Sequence, residues 1–443
     1  MSRPAAALLV LAWALLASVA TAQAPPPMAL MISIDGLRPD YVIAADKHGV
    51  KIPALRRFVS EGTFARVEGV VPTVTYPSHT TLVTGVAPAR HGIPSNTVFD
   101  PQRTGPADWY WYAEDIAVPT LWDAAARGGW STASIQWPVT VGARITWNIP
   151  EFWRPGAADD RGRLLRSVST PGLLPELEAA LGPYPRALDA ESDEARARFA
   201  VRLLETKRPA LLTLHLIALD HAQHDTGPAS AETFAVLERL DAAVARLRET
   251  AERLAPGRAL VAVVSDHGFA RVDTQLNLYG AFREAGLYTV ARGRVTDWKA
   301  MPWSAGGAAA IVLKDPADDE TRARVREILD KLAADPAHGV DRILDADALR
   351  ARGAFPTAAF VVGLRPGWHV ATTPMAPLTS KGRGGQHGHL PDVPDLHASF
   401  FLVGPGVPAG CDLGVVDMRD IAPTLARRLG LSLPTADGKI LLP

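Results

Sequence analysis

Five side chains able to hold a cation sit at or near the ends of apolar runs, and a sixth lies in a glycine-rich stretch. Asp35 closes Met28-Ala-Leu-Met-Ile-Ser-Ile34, and Asp220 closes Ala210-Leu-Leu-Thr-Leu-His-Leu-Ile-Ala-Leu219. Asp266 closes Ala259-Leu-Val-Ala-Val-Val-Ser265, with His267 next to it. His224 stands four residues after Asp220, a spacing at which both can ligate one ion from a loop or an opening helical turn. His387 lies in the glycine-rich stretch Gly382-Arg-Gly-Gly-Gln-His387-Gly388-His389, which can bring it back to the same place. Any single Asp of this kind is accounted for by a turn or a helix cap. Three apolar runs that end alike, two of them with a nearby histidine, form a pattern.

A hydroxyl completes the set. Thr75 lies in Val71-Pro-Thr-Val-Thr-Tyr-Pro-Ser-His-Thr-Thr-Leu-Val-Thr-Gly85, just before Tyr76-Pro77. Threonine is a good helix cap and proline suits a first helical turn, so a helix is expected over Ser78 to Thr84 with Thr75 at its N-terminus. Free N–H groups and the helix dipole attract an anion there, and a phosphoryl group fits. A plain helix cap is the other reading of Thr75. Together, Asp35, Thr75, Asp220, His224, Asp266, His267 and His387 make a two-metal set whose carboxylate and imidazole ligands suit Zn²⁺. Two such ions can clamp the attacking and leaving oxygens of an in-line displacement, and coordination activates an otherwise poor threonine nucleophile. Asn96, in the loop Arg90-His-Gly-Ile-Pro-Ser-Asn96, and the Thr75 N–H can hold non-bridging phosphoryl oxygens. A turn asparagine is the alternative for Asn96.

Uninterrupted apolar runs are typical of strands in a parallel sheet covered on both faces, where ligands gather beyond the carboxyl ends. Helical patterns follow at Pro53 to Glu61, Pro119 to Gly128, Glu191 to Thr206 and Ala229 to Glu252, with a strand at Thr132 to Gln136. A last strand, Ser399 to Val403, and a helix, Met418 to Leu429, close the chain. The expected fold is therefore α/β. From 277 to 373 the apolar runs shorten around one helix, Thr321 to Ala334, which predicts a small inserted α+β subdomain within a catalytic domain of residues 25–276 and 374–443. Residues 139–190, rich in Pro, Gly and charge, fit a lid or an insertion, and Trp109-Tyr-Trp-Tyr112 either lines a pocket or covers the core.

The chain has 443 residues, enough for a large core. Its net charge of −1 implies no bulk attraction to nucleic acid or to an anionic membrane, though a local phosphate site remains possible. One cysteine, Cys411, excludes an intrachain disulfide. Arg3, the apolar run Ala5 to Ala17 and the small-residue sites in Ala20-Thr-Ala-Gln-Ala24 read as a signal peptide over residues 1–24, hence a periplasmic or secreted protein. An uncleaved anchor is the alternative. No other stretch is long and apolar enough to span a membrane. Nothing in the sequence fixes an oligomeric state.

These motifs resemble the alkaline phosphatase superfamily, and within it the nucleotide pyrophosphatase/phosphodiesterase (type I phosphodiesterase) branch. The matching elements are Asp35-Gly-Leu-Arg-Pro-Asp-Tyr41, Pro72-Thr-Val-Thr-Tyr-Pro-Ser-His79, Thr81-Leu-Val-Thr-Gly85, His91-Gly-Ile93 with Asn96, Asp220 with His224 and Gly227-Pro228, Ser265-Asp-His-Gly268 and Gly385-Gln-His-Gly388. They run from residue 28 to about 430 in the family's order. The resemblance implies an alkaline-phosphatase-like α/β/α sandwich with a mostly parallel sheet. It implies one zinc on Asp35, Asp266, His267 and the Thr75 oxygen, and a second on Asp220, His224 and His387. Thr75 becomes the transiently phosphorylated nucleophile and Asn96 the phosphoryl-oxygen donor, acting on a small phosphodiester or pyrophosphate.

Three departures refine this expectation. Nucleotide-cleaving members often carry a base-stacking Tyr five residues before the Asp220 position, where this chain has His215. Monoesterase relatives place a Lys-x-Arg near the Trp137-Pro138 region; here the residues are Val139-Thr-Val141, with Arg144 the nearest cation, which favours diesters. The Cys/Ser-x-Pro-x-Arg motif of sulfatases is absent. Two alternatives accompany the diesterase reading: a phosphomonoesterase on the same site and a non-catalytic zinc-dependent binding protein. His79 and His91 read as packing residues or supports behind the site.

Overall fold

Strands with no polar alternation must be covered on both faces, and the chain builds one eight-stranded sheet from them. The computed structural model describes residues 28–102, 108–153, 162–373 and 375–442. The stretch 1–24, read above as a signal peptide, lies outside the described residues. The sheet contains β1 (Met28–Ile34), β2 (Thr63–Glu68), β3 (Thr132–Ile135), β4 (Trp147–Ile149), β5 (Leu211–Leu216) and β6 (Ala259–Val264), with two later strands, Ala398–Val403 and Cys411–Asp417. Across the sheet the order is Cys411–Asp417, β2, Ala398–Val403, β6, β1, β5, β3, β4. The central strand β1 pairs in parallel with both β5 and β6, setting Ser33 opposite His215 and Val264. Only Ala398–Val403 runs antiparallel to its neighbours.

Alternate residues of β1 enter two cores. Leu30, Ile32 and Ile34 pack under helices Pro53–Glu61, Ala190–Lys207 and Ala231–Leu254. Ala29 and Met31 pack with Leu82 and Val83 of helix Thr75–Thr84, Trp122 of Leu121–Arg127 and Leu425 of Ile421–Arg428. The result is the α/β/α sandwich with a mostly parallel central sheet that the sequence predicts.

Two element boundaries differ from the sequence reading. The run Ala210 to Leu219 is not all strand: β5 ends at Leu216 and a helix, Ala218–Thr226, begins at once. Asp220 therefore sits in the first turn of that helix rather than at a strand end. The stretch 139–190 holds the edge strand β4 and helices Arg163–Val168 and Leu173–Leu181, so part of it belongs to the main sheet and its cover.

Residues 277–373 contribute no described strand to the eight-stranded sheet. They form an antiparallel sheet in the order Ala300–Ser304, Ala308–Leu313, Ala358–Leu364, Val340–Asp345, backed by helix Asp319–Ala334. Strand β7 (Ala270–Leu276) makes a joint, pairing with Gly367–Val370, Thr379–Lys381 and Gly385–Gln386. The other face of the small sheet packs against Val71 and Val74, the residues leading into the Thr75 helix.

Candidate active site

Parallel strands deliver their carboxyl ends to one edge of the sheet, and the site lies there. Asp35 follows β1, and its N–H donates to Leu216 O of β5 at 2.9 Å. Asp266 follows β6; its Oδ1 accepts from the N–H groups of Gly36 and His267, both at 3.1 Å. Asp220 and His224, one helical turn apart, approach to 3.4 Å between Oδ1 and Nε2. The loop carrying His387 closes over them because it is built of glycine. A Cβ on Gly384, at φ +71°, would overlap His224 O, and one on Gly388, at φ +87°, would overlap Ala305 O.

The imidazoles are oriented alike. Nδ1–H of His267 donates to Gly268 O (3.1 Å), that of His387 to Thr73 O (3.0 Å) and that of His224 to Gly385 O (3.1 Å). Each Nε2 is left with its lone pair toward the centre, the usual arrangement behind a metal-binding histidine. His267 Nε2 lies 3.4 Å from Asp35 Oδ1 and 3.2 Å from Asp266 Oδ2, and His387 Nε2 lies 3.6 Å from Asp220 Oδ1. Two groups result, Asp35–Asp266–His267 and Asp220–His267–His387, each with its ligand atoms within 4.8 Å of one another. His267 faces both.

The chemistry of this donor set calls for cations. Asp35 Oδ1, Asp220 Oδ1, Asp266 Oδ2 and His267 Nε2 are buried with no hydrogen-bond partner. Buried polar atoms are rarely left so, and four converging on one spot fit divalent ions. Burial, then the charge of Asp220, holds Asp35 well above the ordinary carboxylate value, and burial with the charge of Asp35 does the same to Asp266. Burial also pushes Asp220 up, but His224 and His387 outweigh it and hold it below. Burial lowers His267 to about 3 and, with the neighbouring His267, holds His387 well below 6.5. On one side, neutral His267 and His387 beside Asp35 and Asp266, which resist ionising, are a ligand set short of positive charge. On the other, burial would lower His224, but the charge of Asp220 outweighs it and holds His224 above 6.5.

Thr75 is not a helix cap. Val74 is the N-cap and Thr75 the first helical residue. Asn96 performs the capping from a distance, its Oδ1 accepting Tyr76 N–H at 2.8 Å. Pro77 has no N–H and Ser78 N–H donates to Val74 O, so the Thr75 N–H is the backbone donor left in this first turn among the described residues, with the Asn96 side-chain amide beside it and the Ser78 hydroxyl buried without a partner. His79 ties the helix to the carboxylates. Its Nδ1–H donates to Thr75 O (2.9 Å), its Nε2 accepts from Ser33 Oγ (2.8 Å), and it lies 3.6 Å from Asp266 Oδ2. His91 is a packing residue, bonded through Nε2 to Thr81 Oγ1.

Two residues of the site have roles that a reading of the sequence does not give: Glu151, and His215, which the sequence marks only as standing in place of a tyrosine. His215 is buried on β5, with Nε2 2.9 Å from Asp35 Oδ2 and Nδ1 3.0 Å from Glu151 Oε2. It supports a carboxylate and offers no exposed ring for a base. Glu151 follows β4, a strand too short to show any periodicity. Trp109 and Trp111 pack with Tyr76 and Trp153, so the aromatic loop mainly covers the residue next to Thr75.

The chain is similar to known proteins along most of its length. A family model described as type I phosphodiesterase / nucleotide pyrophosphatase matches residues 29–390. Ectonucleotide pyrophosphatase/phosphodiesterase family member 1 of Rattus norvegicus is 28% identical over 255 residues, covering 57% of this chain and 25% of that protein. A bis(5'-adenosyl)-triphosphatase of Bos taurus is 32% identical over 127 residues, 27% of this chain and 26% of that one. The matches thus span about a quarter of the length of these relatives. Murine ectonucleotide pyrophosphatase/phosphodiesterase 5, solved as an inactive variant in complex with AMP, shares the fold. Its TM-score is 0.67 at 20% identity, over 93% of this chain and 97% of that one.

Proposed function

The chain belongs to the type I phosphodiesterase / nucleotide pyrophosphatase family, and on that premise we propose that it is a two-zinc hydrolase of small phosphodiesters or pyrophosphates working through a phosphothreonine. The observation that carries this reading is the convergence of four bare, buried ligand atoms beside a helix that begins at Thr75. Asp35, Asp266, His267 and the Thr75 oxygen would hold one ion, and Asp220, His224 and His387 the other. Zinc in such sites supplies Lewis-acid polarisation and charge to offset a departing oxyanion.

The chain's own groups account for the remaining chemistry. The Thr75 N–H and Asn96 Nδ2 hold non-bridging oxygens of the phosphoryl group. The Thr75 Oγ1–P bond forms as the bond from phosphorus to the leaving oxygen breaks, and the hydroxyl proton ends, through solvent, on the leaving group. Water then attacks phosphorus, releasing Thr75 and the monoester product. Nothing in Val139-Thr-Val141 brings a cation to the extra charge of a monoester: Val139 is buried, and Arg144 lines a surface pocket with Glu114 and Asp123. Diesters are therefore the favoured substrates.

The supporting features extend to the chain as a whole. The apolar run near the N-terminus supports export to the periplasm or beyond, and no helix among the described residues is long and apolar enough to cross a membrane. The antiparallel four-stranded sheet built wholly within 277–373, which shares no described strand with the eight-stranded sheet, supports an inserted subdomain between 25–276 and 374–443. The deciding experiment compares kcat/KM for bis-p-nitrophenyl phosphate and thymidine p-nitrophenyl diester with that for p-nitrophenyl phosphate. Faster diester cleavage is expected. Faster monoester cleavage would make this a phosphomonoesterase, and no cleavage of any of them by the zinc-loaded protein would leave a binding protein.

A further inference from the structure

A continuous buried chain of polar contacts runs from Asp35 to the first turn of the Thr75 helix. Asp35 Oδ2 faces His215 Nε2 at 2.9 Å. The other ring nitrogen, Nδ1, faces Glu151 Oε2 at 3.0 Å and Gln136 O at 3.1 Å. Glu151 Oε1 accepts the Tyr76 hydroxyl at 3.0 Å, and the Tyr76 N–H donates to Asn96 Oδ1 at 2.8 Å. Asp35, Glu151, His215 and Tyr76 are at most 4% exposed. The backbone is bent to serve this chain, since Gln136 presents its carbonyl from a left-handed conformation (φ 59°) that side-chain-bearing residues avoid.

The consequence for Asp35 is specific. One carboxylate oxygen is spoken for and the other, Oδ1, is bare and faces His267. A short side chain without such a partner could swing either oxygen, or both, toward an ion. We propose that His215 and Glu151 are positioning residues, which fix Asp35 so that Oδ1 alone is offered to the metal and which lock that carboxylate to the turn bearing Thr75. This rests on the two-zinc reading above. It gives a purpose to a histidine where the family resemblance leads one to look for a tyrosine.

Outer partners of ligand side chains typically alter metal affinity or activity by about 10–100-fold. Two substitutions separate positioning from mere packing. His215→Asn keeps a nitrogen near the place of Nδ1 and loses the contact with Asp35. His215→Gln reaches the place of Nε2 and retains it. Metal-free protein is titrated with Zn²⁺ against a chromophoric chelator, and the two binding events are assigned with His387→Ala. His215→Asn is expected to weaken the Asp35-side zinc about 10–100-fold, leaving the other within about twofold, and to lower kcat more than it changes KM. His215→Gln should recover most of that loss. Equal behaviour of the two variants, equal weakening of both zincs, or wild-type zinc binding by folded His215→Asn would overturn the proposal. If neither variant folds, Tyr76→Phe decides, because it deletes only the hydroxyl at the far end. Its kcat should fall about 3–10-fold with both zincs retained, as for one lost hydrogen bond, and an unchanged kcat would overturn the proposal. Wild-type protein that binds no zinc, or cleaves no diester, would instead defeat the two-zinc reading itself.

Discussion

The imidazoles of His267 and His387 lie face to face, ring centroids 3.7 Å apart and 9° from parallel. They come from distant parts of the chain, one after strand β6 and one on the glycine loop beyond the subdomain. Two imidazolium ions would repel at this distance, and burial keeps both rings neutral. Each donates Nδ1–H to a backbone carbonyl, so the stacked pair presents two parallel lone pairs to the carboxylates. That is an arrangement for binding cations, with the two rings serving adjacent positions.

The protein should carry two zinc ions per chain, measured by metal analysis after mild purification. Removal with a chelator should abolish diesterase activity and lower Tm, because an ion that binds only the folded state stabilises it. His387→Ala should lose one zinc and more activity than the roughly 100-fold that an outer partner costs. One ion, or none, in fully active wild-type protein would sink this expectation.

Asp193 holds the helix of Asp220 and His224 in place. Its Oδ1 pairs with Arg196 at 2.6 Å, both side chains fully buried, and its Oδ2 accepts the Ala218 N–H at 2.7 Å. Asp193→Ala would strand a buried guanidinium and a helix N–H. A loss of about 3–5 kcal/mol is expected in urea unfolding, since breaking one side of a buried pair leaves an uncompensated charge. A loss below about 1 kcal/mol would show that the pair is dispensable.

Much of this site is legible in the sequence because the sheet does the positioning. Apolar runs too long to be half-exposed announce central strands, and parallel strands send their carboxyl ends to one edge. Asp35 and Asp266 could thus be placed together with no knowledge of contacts. The ladder alone could not fix the role of Thr75. The signs of a cap were present, yet the capping oxygen comes from Asn96, 20 residues on. The roles of Glu151 and His215 are hidden for a different reason. Their meaning lies in contacts across 64 residues and across strands, and the spacing of His215 from Asp220 marks the place of an absent tyrosine rather than a partner for Asp35. His215 also sits within an apolar strand, where a histidine reads as ordinary core.

His91 gives the fold a measurable acid sensitivity away from the metal ligands. Its Nδ1 accepts Ile93 N–H at 3.2 Å, and burial pushes its pKa down from 6.5 to about 3. In the unfolded chain it would titrate near 6.5. Between about pH 6.5 and 3 the unfolded state therefore binds the extra proton, so stability is full above that window and falls as pH drops. The slope for one group is at most about 1.4 kcal/mol per pH unit. Urea unfolding of metal-free wild type and His91→Gln at pH 7, 6 and 5 should show the wild type's advantage shrinking with acid. A constant gap would mean that His91 does not titrate on unfolding.

Thr75 is the residue on which the proposed chemistry turns. Thr75→Ala removes the nucleophile and one oxygen ligand but leaves the carboxylates and imidazoles, so activity should fall steeply while zinc largely stays. Thr75→Ser keeps a hydroxyl and should retain measurable activity. The stereochemistry is the sharper test. Attack by Thr75 inverts phosphorus once, and hydrolysis of the phosphothreonine inverts it again, so a diester chiral at phosphorus should be cleaved with net retention. Direct attack by water between the same two ions would invert once. The position of Thr75 as first residue of its helix, with its own N–H and the Asn96 amide beside it, motivates the two-step path. Net inversion, or a Thr75→Ala variant as fast as wild type, would reduce Thr75 to the first residue of a helix.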